Sequence, residues 1–540
     1  LALAFAGCSD DSTDGACTSC GPSNGTGGSA GSDSGSGGDT SSAGTSGTGG
    51  SDGSGGSSEP GEPPAEACEP TLELVDTTAP DHVVGTGTKE SCTSQALVEA
   101  AEQGGIVTFD CGAEPHTIVL EEGIDVPTDR DTVIDGGGKI ELDGDGKYRH
   151  FTFDSPGWQT NENKLVLERI VLRNGLAPLG EYFPPVDGEP DCAYGYKEGS
   201  GGAVYMRDGV LQVIDSEFYD NQAALIGPDV GGGAIYAQGV SGVTISGSVF
   251  KGNRASNGGA VGMLFANPLI ENSLFEDNTA EGVGQNTAGH DQCPEFGHAG
   301  QGGAGGLAGA VYFDGMNADG FVYTICGSVF RNNRANELAG ALFRTPNVSV
   351  REMLIDRSLF DGNTALVGGV SFIKQNDLTV RASSFLHNRA GLLVDGTDVG
   401  GPIGGLWVNE GTVDLENSTF YDNLPTGLII EGTGTVKNAT FFESDVNGSV
   451  DFDNSLFVDS ECSDLGAGTG NVAFPDDGGC VSGATIEDPQ LAAPADNGGP
   501  TPTCLPNASV VSGKGSSCPA DDQRGEAREP ASCAAGAVEL

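Results

Sequence analysis

The phrase Ser216-Glu217-Phe218-Tyr219-Asp220-Asn221 decides the fold, because it returns six more times as Ser-x-Phe-x-x-Asn. The copies run Ser248–Asn253, Ser273–Asn278, Ser328–Asn333, Ser358–Asn363, Ser383–Asn388 and Ser418–Asn423. A degenerate copy, Asn438-Ala439-Thr440-Phe441, has Ser444 in place of the asparagine. The phenylalanines Phe218, Phe250, Phe275, Phe330, Phe360, Phe385 and Phe420 stand 32, 25, 55, 30, 25 and 35 residues apart. The shortest interval sets the unit, and the excess is loop.

A second phrase, Gly-Gly-Ala followed by an apolar residue, alternates with the first. It stands at Gly201–Val204, Gly232–Ile235 and Gly258–Val261. Weaker copies begin at Ala308, Ala339, Gly368 and Gly404. A coil of three short strands needs such residues. Stacked coils lie about 4.8 Å apart, so identical inward positions align into ladders. Stacked Phe fills a narrow interior. Stacked Asn (Asn221, Asn253, Asn278, Asn333, Asn363, Asn388, Asn423) hydrogen-bonds the coils above and below and satisfies buried turn groups. Gly permits positive φ and close backbone approach. The expected fold is all-β, a right-handed parallel β-helix, and these Phe and Asn residues are expected to build its core rather than a catalytic site.

Composition agrees. The 540 residues include 89 glycines, which excludes an ordinary helical protein. A net charge of −53 excludes nucleic acid as a partner, since nothing would neutralise phosphates. It also opposes adsorption to an anionic membrane surface. No motif requires a cofactor; Ca²⁺ is the cation such an acidic surface would gather. Fourteen cysteines point to an exported, oxidising setting. Cys17 and Cys20 form a lone CxxC, read as a local disulfide or free thiols.

The chain opens on Leu1-Ala2-Leu3-Ala4-Phe5-Ala6-Gly7, a short apolar run resembling the end of a signal peptide. Cys8 follows, and small residues before Cys resemble the bacterial lipobox. That resemblance implies diacylglycerol on Cys8 and a lipid partner in the membrane, with Ser9 implying outer-membrane sorting. A truncated ordinary signal peptide is the alternative. If Cys8 carries lipid, 13 cysteines remain, an odd number. Residues 9–66 are almost entirely Gly, Ser, Thr, Asp, Ala and Pro, too polar to offset their ordering entropy, and are expected to form a disordered tether.

The folded body is expected over 67–470, closed by a region over 471–540. Ser94–Ala101 reads as a short amphipathic helix with Ser94 as N-cap, covering the open end of the stack. Ile106–Phe109 and His116–Leu120 read as strands, and Thr132–Gly138 as a strand leaving into a tight turn.

The alternating phrases over about 200–425 resemble the repeats of chlamydial polymorphic outer membrane proteins, which implies a surface-exposed β-helix able to act in adhesion. Farther on, Asp488-Pro489-Gln490-Leu491, Asp496–Thr503, Asp522-Gln523-Arg524-Gly525 and Gly536–Glu539 resemble the choice-of-anchor Q domain that closes many bacterial surface β-helix proteins. The resemblance implies that Arg524 and Asp522 tie down the end of the helix and that Cys518 pairs with Cys533. Cys504 departs from the pattern and is expected in another disulfide.

Parallel β-helices also host enzymes. The Gly-His-Gly and Arg-Ile-Lys of polygalacturonase-like enzymes are absent from the sequence. A lyase needs a carboxylate-bound Ca²⁺ and a basic residue, and a glycoside hydrolase needs two carboxylates. Two excursions carry functional residue types: His290, Asp291, Cys293, Glu295 and His298 as metal-ligand types, and Tyr182, Phe183, Tyr194 and Tyr196 as sugar-stacking or packing aromatics. The reading is a non-enzymatic cell-surface lipoprotein acting in adhesion or envelope interaction, with a glycan or cell-surface partner, located at the outer membrane or outside the cell. A polysaccharide lyase or glycoside hydrolase is the alternative.

Overall fold

The computed structural model describes residues 66–179, 196–227, 230–282, 305–346, 349–391, 403–476 and 479–540, with the backbone of one short antiparallel pair at Gln292–Cys293 and His298–Ala299. Cys8, the 9–65 segment and Tyr182, Phe183 and Tyr194 lie outside the described residues. So do the side chains of Tyr196 and of the 290–298 set.

The described chain is a parallel β-helix. Each coil contributes one strand to each of three sheets. Sheet 1 contains Ile235–Gln238, sheet 2 Gly242–Ser246 and sheet 3 Val249–Lys251 within a single coil. The strands of these sheets pair in parallel with their counterparts one coil away: Ile235 with Val261, Val243 with Pro268, and Phe250 with Phe275. A fourth, minor sheet stacks Arg254–Ala255, Thr279–Ala280, Arg334–Ala335, Thr364–Ala365 and Arg389–Ala390. Parallel pairing continues past residue 470, through Val472–Phe474 to Thr485–Ile486.

The phenylalanines of the repeat occupy sheet 3 and point inward. Phe218, Phe250, Phe275, Phe330, Phe360, Phe385 and Phe420 are fully buried. Their rings stack with centroids 4.6–5.1 Å apart. Phe441 and Phe457 prolong the column. Burying one such ring contributes roughly 2–3 kcal/mol, and each ring–ring contact adds about 0.5–1.5 kcal/mol.

The asparagines join three coils at once. The Asn253 amide donates to the Phe218 carbonyl one coil back (2.9 Å) and to Oδ1 of Asn278 one coil on (3.0 Å). That same Oδ1 accepts from the Asn253 backbone N–H at 3.0 Å. The pattern runs from Asn221 to Asn423, whose amide reaches the Ser444 hydroxyl of the degenerate copy at 3.1 Å. The repeat serines form a parallel column. Ser248 N–H donates to Ser273 Oγ (3.1 Å), and Ser273 Oγ donates to the Glu271 carbonyl (2.8 Å).

The second glycine of the other phrase faces a backbone rather than a side chain. A Cβ on Gly233 would lie 2.1 Å from the Gly259 carbonyl oxygen, and one on Gly340 would lie 2.0 Å from that of Gly369.

The helix at Ser94–Ala101, here α1, buries Leu97, Val98, Ala100 and Ala101 over the first strands. Its N-cap is Thr93, not Ser94. The Thr93 side chain accepts from Ala96 N–H, while Ser94 Oγ turns to accept from Glu121 N–H, so its hydroxyl joins the cap to the coil beneath. The strand at Thr132 does not end at its glycines. Gly137 and Gly138 take positive φ (60° and 69°) and bend the chain, and the strand continues to Asp143. Ile140 and Leu142 there pair with Ile170 and Leu172 of the next coil, which favours continuation over a turn.

Candidate functional site

The corner between sheets 2 and 3 turns through one left-handed residue just before each repeat serine: Gly247, Asn272, Gly327, Arg357, Ala382 and Asn417 among them. Both ends of the described chain pack over this corner. From the N-terminal side, residues 66–78 form a strap against sheet 2. Val75 N–H donates to Glu168 (2.9 Å), Thr71 N–H to Glu271 (2.8 Å), and Ala67 and Cys68 N–H both to Asn272 Oδ1 (3.0 Å). Cys68 is disulfide-bonded to Cys326. Leu72 and Val75 cover an outer apolar patch of Val133, Val166 and Ile214. Burial holds the Glu168 carboxyl above its ordinary range, against the opposing Val75 hydrogen bond.

The C-terminal residues cover the later coils. Gln523 donates to Ser384 Oγ (2.7 Å) and Thr501 Oγ1 (2.9 Å), and accepts from Thr419 Oγ1 (2.6 Å). Asn417 donates to the Asp521 carbonyl at 2.8 Å. Asp522, buried, accepts from Arg524 (2.8 Å) and from Glu539 N–H (2.8 Å), so it ties the terminal residues to the turn. Cys518 pairs with Cys533. Cys504, expected in another disulfide, is instead a buried free thiol, and burial pushes it up to about 12, far from the reactive thiolate.

Between strap and C-terminal segment lies a groove of about 740 Å³, lined among others by Ala67, Arg357, Arg381, Glu416, Asp521 and Arg524. Arg357 is engaged by Asp356 (2.7 Å) and the Ala67 carbonyl (2.8 Å), and Arg524 by Asp522. Cys68, Cys326 and Asp356 converge there, but both sulfurs are spent on the disulfide. These ion pairs are local, and the segments are fixed on the corner by Arg357 to the Ala67 carbonyl, Asn272 to Ala67 and Cys68, Gln523 to Ser384 and Asn417 to the Asp521 carbonyl.

Interior titratable groups lie elsewhere. His150 is fully buried in the early coils, donates to the Leu142 carbonyl (2.9 Å), and is held down to about 4 by burial. Arg344 projects into the core in register with Phe313, its guanidinium 4.1 Å from that ring and bonded to Asn317 and the Gly315 and Thr345 carbonyls. Burial lowers it to about 9.

The sequence reading overlooked a second aromatic column. Tyr205, Tyr236, Tyr312, Phe343, Phe372 and Trp407 stand one residue after the apolar position of the Gly-Gly-Ala phrase, on the outer side of sheet 1. Each is nonetheless buried, several against Leu307, Leu338 and Ile403. The signal was in the sequence: an aromatic at that place in six coils.

Among the described residues no helix is long and apolar enough to cross a membrane. No curated protein matches the chain. Residues 215–238, which span one Ser-x-Phe-x-x-Asn phrase and the Gly-Gly-Ala phrase after it, match the Chlamydia polymorphic membrane protein repeat, which supports a β-helix of that type and an envelope or surface location.

Proposed function

We propose that the protein is a non-enzymatic surface lipoprotein that presents its β-helix for adhesion or envelope contact. The repeat match at 215–238 carries the reading, because the matched residues are the ones that build the stacked coils. Acylation of Cys8, a tether over 9–66 and a closing region of choice-of-anchor Q type over 471–540 complete the proposal. The interlocked Asp522, Arg524 and Glu539 support the last. Ca²⁺ is proposed to stiffen the acidic surface, supported by the net charge of −53. A higher melting temperature in Ca²⁺ than in EDTA is expected, and an unchanged one removes the idea.

The test is a glycan-array screen with the full chain, read together with reducing-end release from each glycan bound. Binding without release supports an adhesin. Release identifies a glycan-degrading enzyme and overturns the proposal. Intact mass of the membrane-extracted protein tests the acyl group on Cys8 separately.

A further inference from the structure

The chain has two tryptophans, and the structure treats them oppositely: Trp407 is buried, whereas Trp158 is 39% exposed. Trp158 sits on the Ser155–Asn163 loop, which leaves one coil and climbs over the corner between sheets 1 and 2. Its benzo ring lies directly on the backbone of Gly239, where a Cβ would come within 2.5 Å of Cδ2 and Cε3. Phe265, from the following coil, meets it edge-on at 5.7 Å and is itself only partly buried.

This aromatic pair is held rigidly. Asp208, fully buried, accepts from Thr160 N–H (2.8 Å), Asn161 N–H (3.0 Å) and Ser155 Oγ (2.9 Å). Gln159 N–H donates to the Gly239 carbonyl (2.8 Å), and its side-chain amide to the Phe265 carbonyl (3.2 Å). Asn161 and Asn163 both anchor to the Thr128 carbonyl. Phe265 adopts φ +54°, a conformation that a bulky side chain takes at an energetic cost and that concentrates at functional places. The ladder of the core needs none of this.

We infer that Trp158 and Phe265 form a preorganised platform for the apolar face of a pyranose ring in a neutral glycan. An indole backed by main chain on one side leaves its other face for stacking, and rigid aromatics keep the ordering cost of contact low. The exposed Gln159 side-chain amide, which bonds the Phe265 carbonyl through its nitrogen, brings an amide oxygen suited to a hydroxyl beside the pair. The ligand is neutral because Glu162 is exposed on the same loop and the chain carries −53 charges, which repel uronates and sialic acids. The site deepens the adhesin reading and rests on it.

The test uses the full chain and its Trp158→Ala, Trp158→Phe and Trp407→Phe variants on an array printed with cellohexaose, mannohexaose and chitohexaose among acidic glycans. Expected are binding to a neutral hexaose, at least tenfold loss in Trp158→Ala, partial recovery in Trp158→Phe, and full binding in Trp407→Phe. Tryptophan fluorescence of the wild type shifts with the bound hexaose, and that of Trp158→Ala does not. Unchanged binding by Trp158→Ala, or binding confined to acidic glycans, overturns the platform while leaving the adhesin reading in place. Binding to no glycan overturns the platform and removes glycans as the adhesin's partner.

Discussion

The side-chain amide of Asn278 donates to Oδ1 of Asn333 at 2.9 Å although 55 residues separate them, the same bond that Asn253 makes to Asn278 at 3.0 Å across 25. Coil geometry is therefore indifferent to how much chain leaves between rungs. Loop closure grows only logarithmically with length, whereas a missed rung would orphan buried polar groups outright.

Asn278→Ala should consequently be severe. It strips the Phe250 carbonyl of its amide donor and removes the acceptor for Asn253 N–H and Nδ2. With roughly 1–3 kcal/mol for each buried group left unpaired, a loss of about 3–5 kcal/mol is expected in urea unfolding. Asn332→Gly, at an exposed neighbour with φ +54°, should stay within about 0.5 kcal/mol. Equal effects would deny the ladder its role.

Ala339 and Gly340 are adjacent and should respond with opposite signs. Ala339 sits at φ +67°, where most other copies of the phrase have glycine. A side chain there costs about 1–2 kcal/mol, partly returned by the lower unfolded-state entropy of alanine. Ala339→Gly should therefore stabilise by about 0.5–1 kcal/mol in thermal unfolding. Gly340→Ala places a Cβ 2.0 Å from the Gly369 oxygen and 2.6 Å from Thr364 N, so the coil must part from its neighbour. A melting temperature at or above wild type for Gly340→Ala would contradict the close approach.

His150 gives the fold an acid sensitivity with a definite sign. Its folded value is held down to about 4 by burial, below the ordinary value near 6.5. Between these limits the unfolded chain binds more protons than the folded one, so stability rises with pH and is lost as pH falls from about 6.5 to about 4. The loss reaches roughly 3 kcal/mol at the lower limit. His150→Asn keeps a donor for the Leu142 carbonyl and removes the titration. The wild-type-minus-variant difference in unfolding free energy should fall steeply over that window. A flat difference would show that His150 is not the proton acceptor.

The residues that repeat were the legible ones. Phe218, Asn221 and their copies declare the coil because a solenoid reuses one environment, and the position of α1 follows from its apolar face. Three features were hidden for distinct reasons. The serine column carries no hydrophobic signature; its hydroxyls bond only once coils are stacked. The outer aromatic column was masked by the stronger Gly-Gly-Ala phrase beside it. The strap has no local signal at all, since Thr71 and Cys68 find partners 200 and 258 residues away. Cys504, expected in another disulfide, stands as a buried free thiol, which only the folded chain shows.

That long-range strap supplies the last prediction. The Cys68–Cys326 bond closes 258 residues, whereas Cys92–Cys111 closes 19. If disulfides act by restricting the unfolded chain, the stabilisation grows with the logarithm of the loop, and the longer loop should contribute about 2 kcal/mol more. Replacing both members of each pair by serine should then lower the urea midpoint further for Cys68 and Cys326. The two variants should also differ in kind. Losing Cys92–Cys111 loosens the cap around α1, but losing Cys68–Cys326 leaves the strap held by hydrogen bonds to Asn272, Glu271 and Glu168 and by two small apolar side chains. Amide exchange over residues 67–75 should accelerate in that variant alone, with the ladder amides of Asn253 and Asn278 unchanged. Acceleration of the ladder as well would mean that the strap is part of the cooperative core and that the corner groove collapses with it.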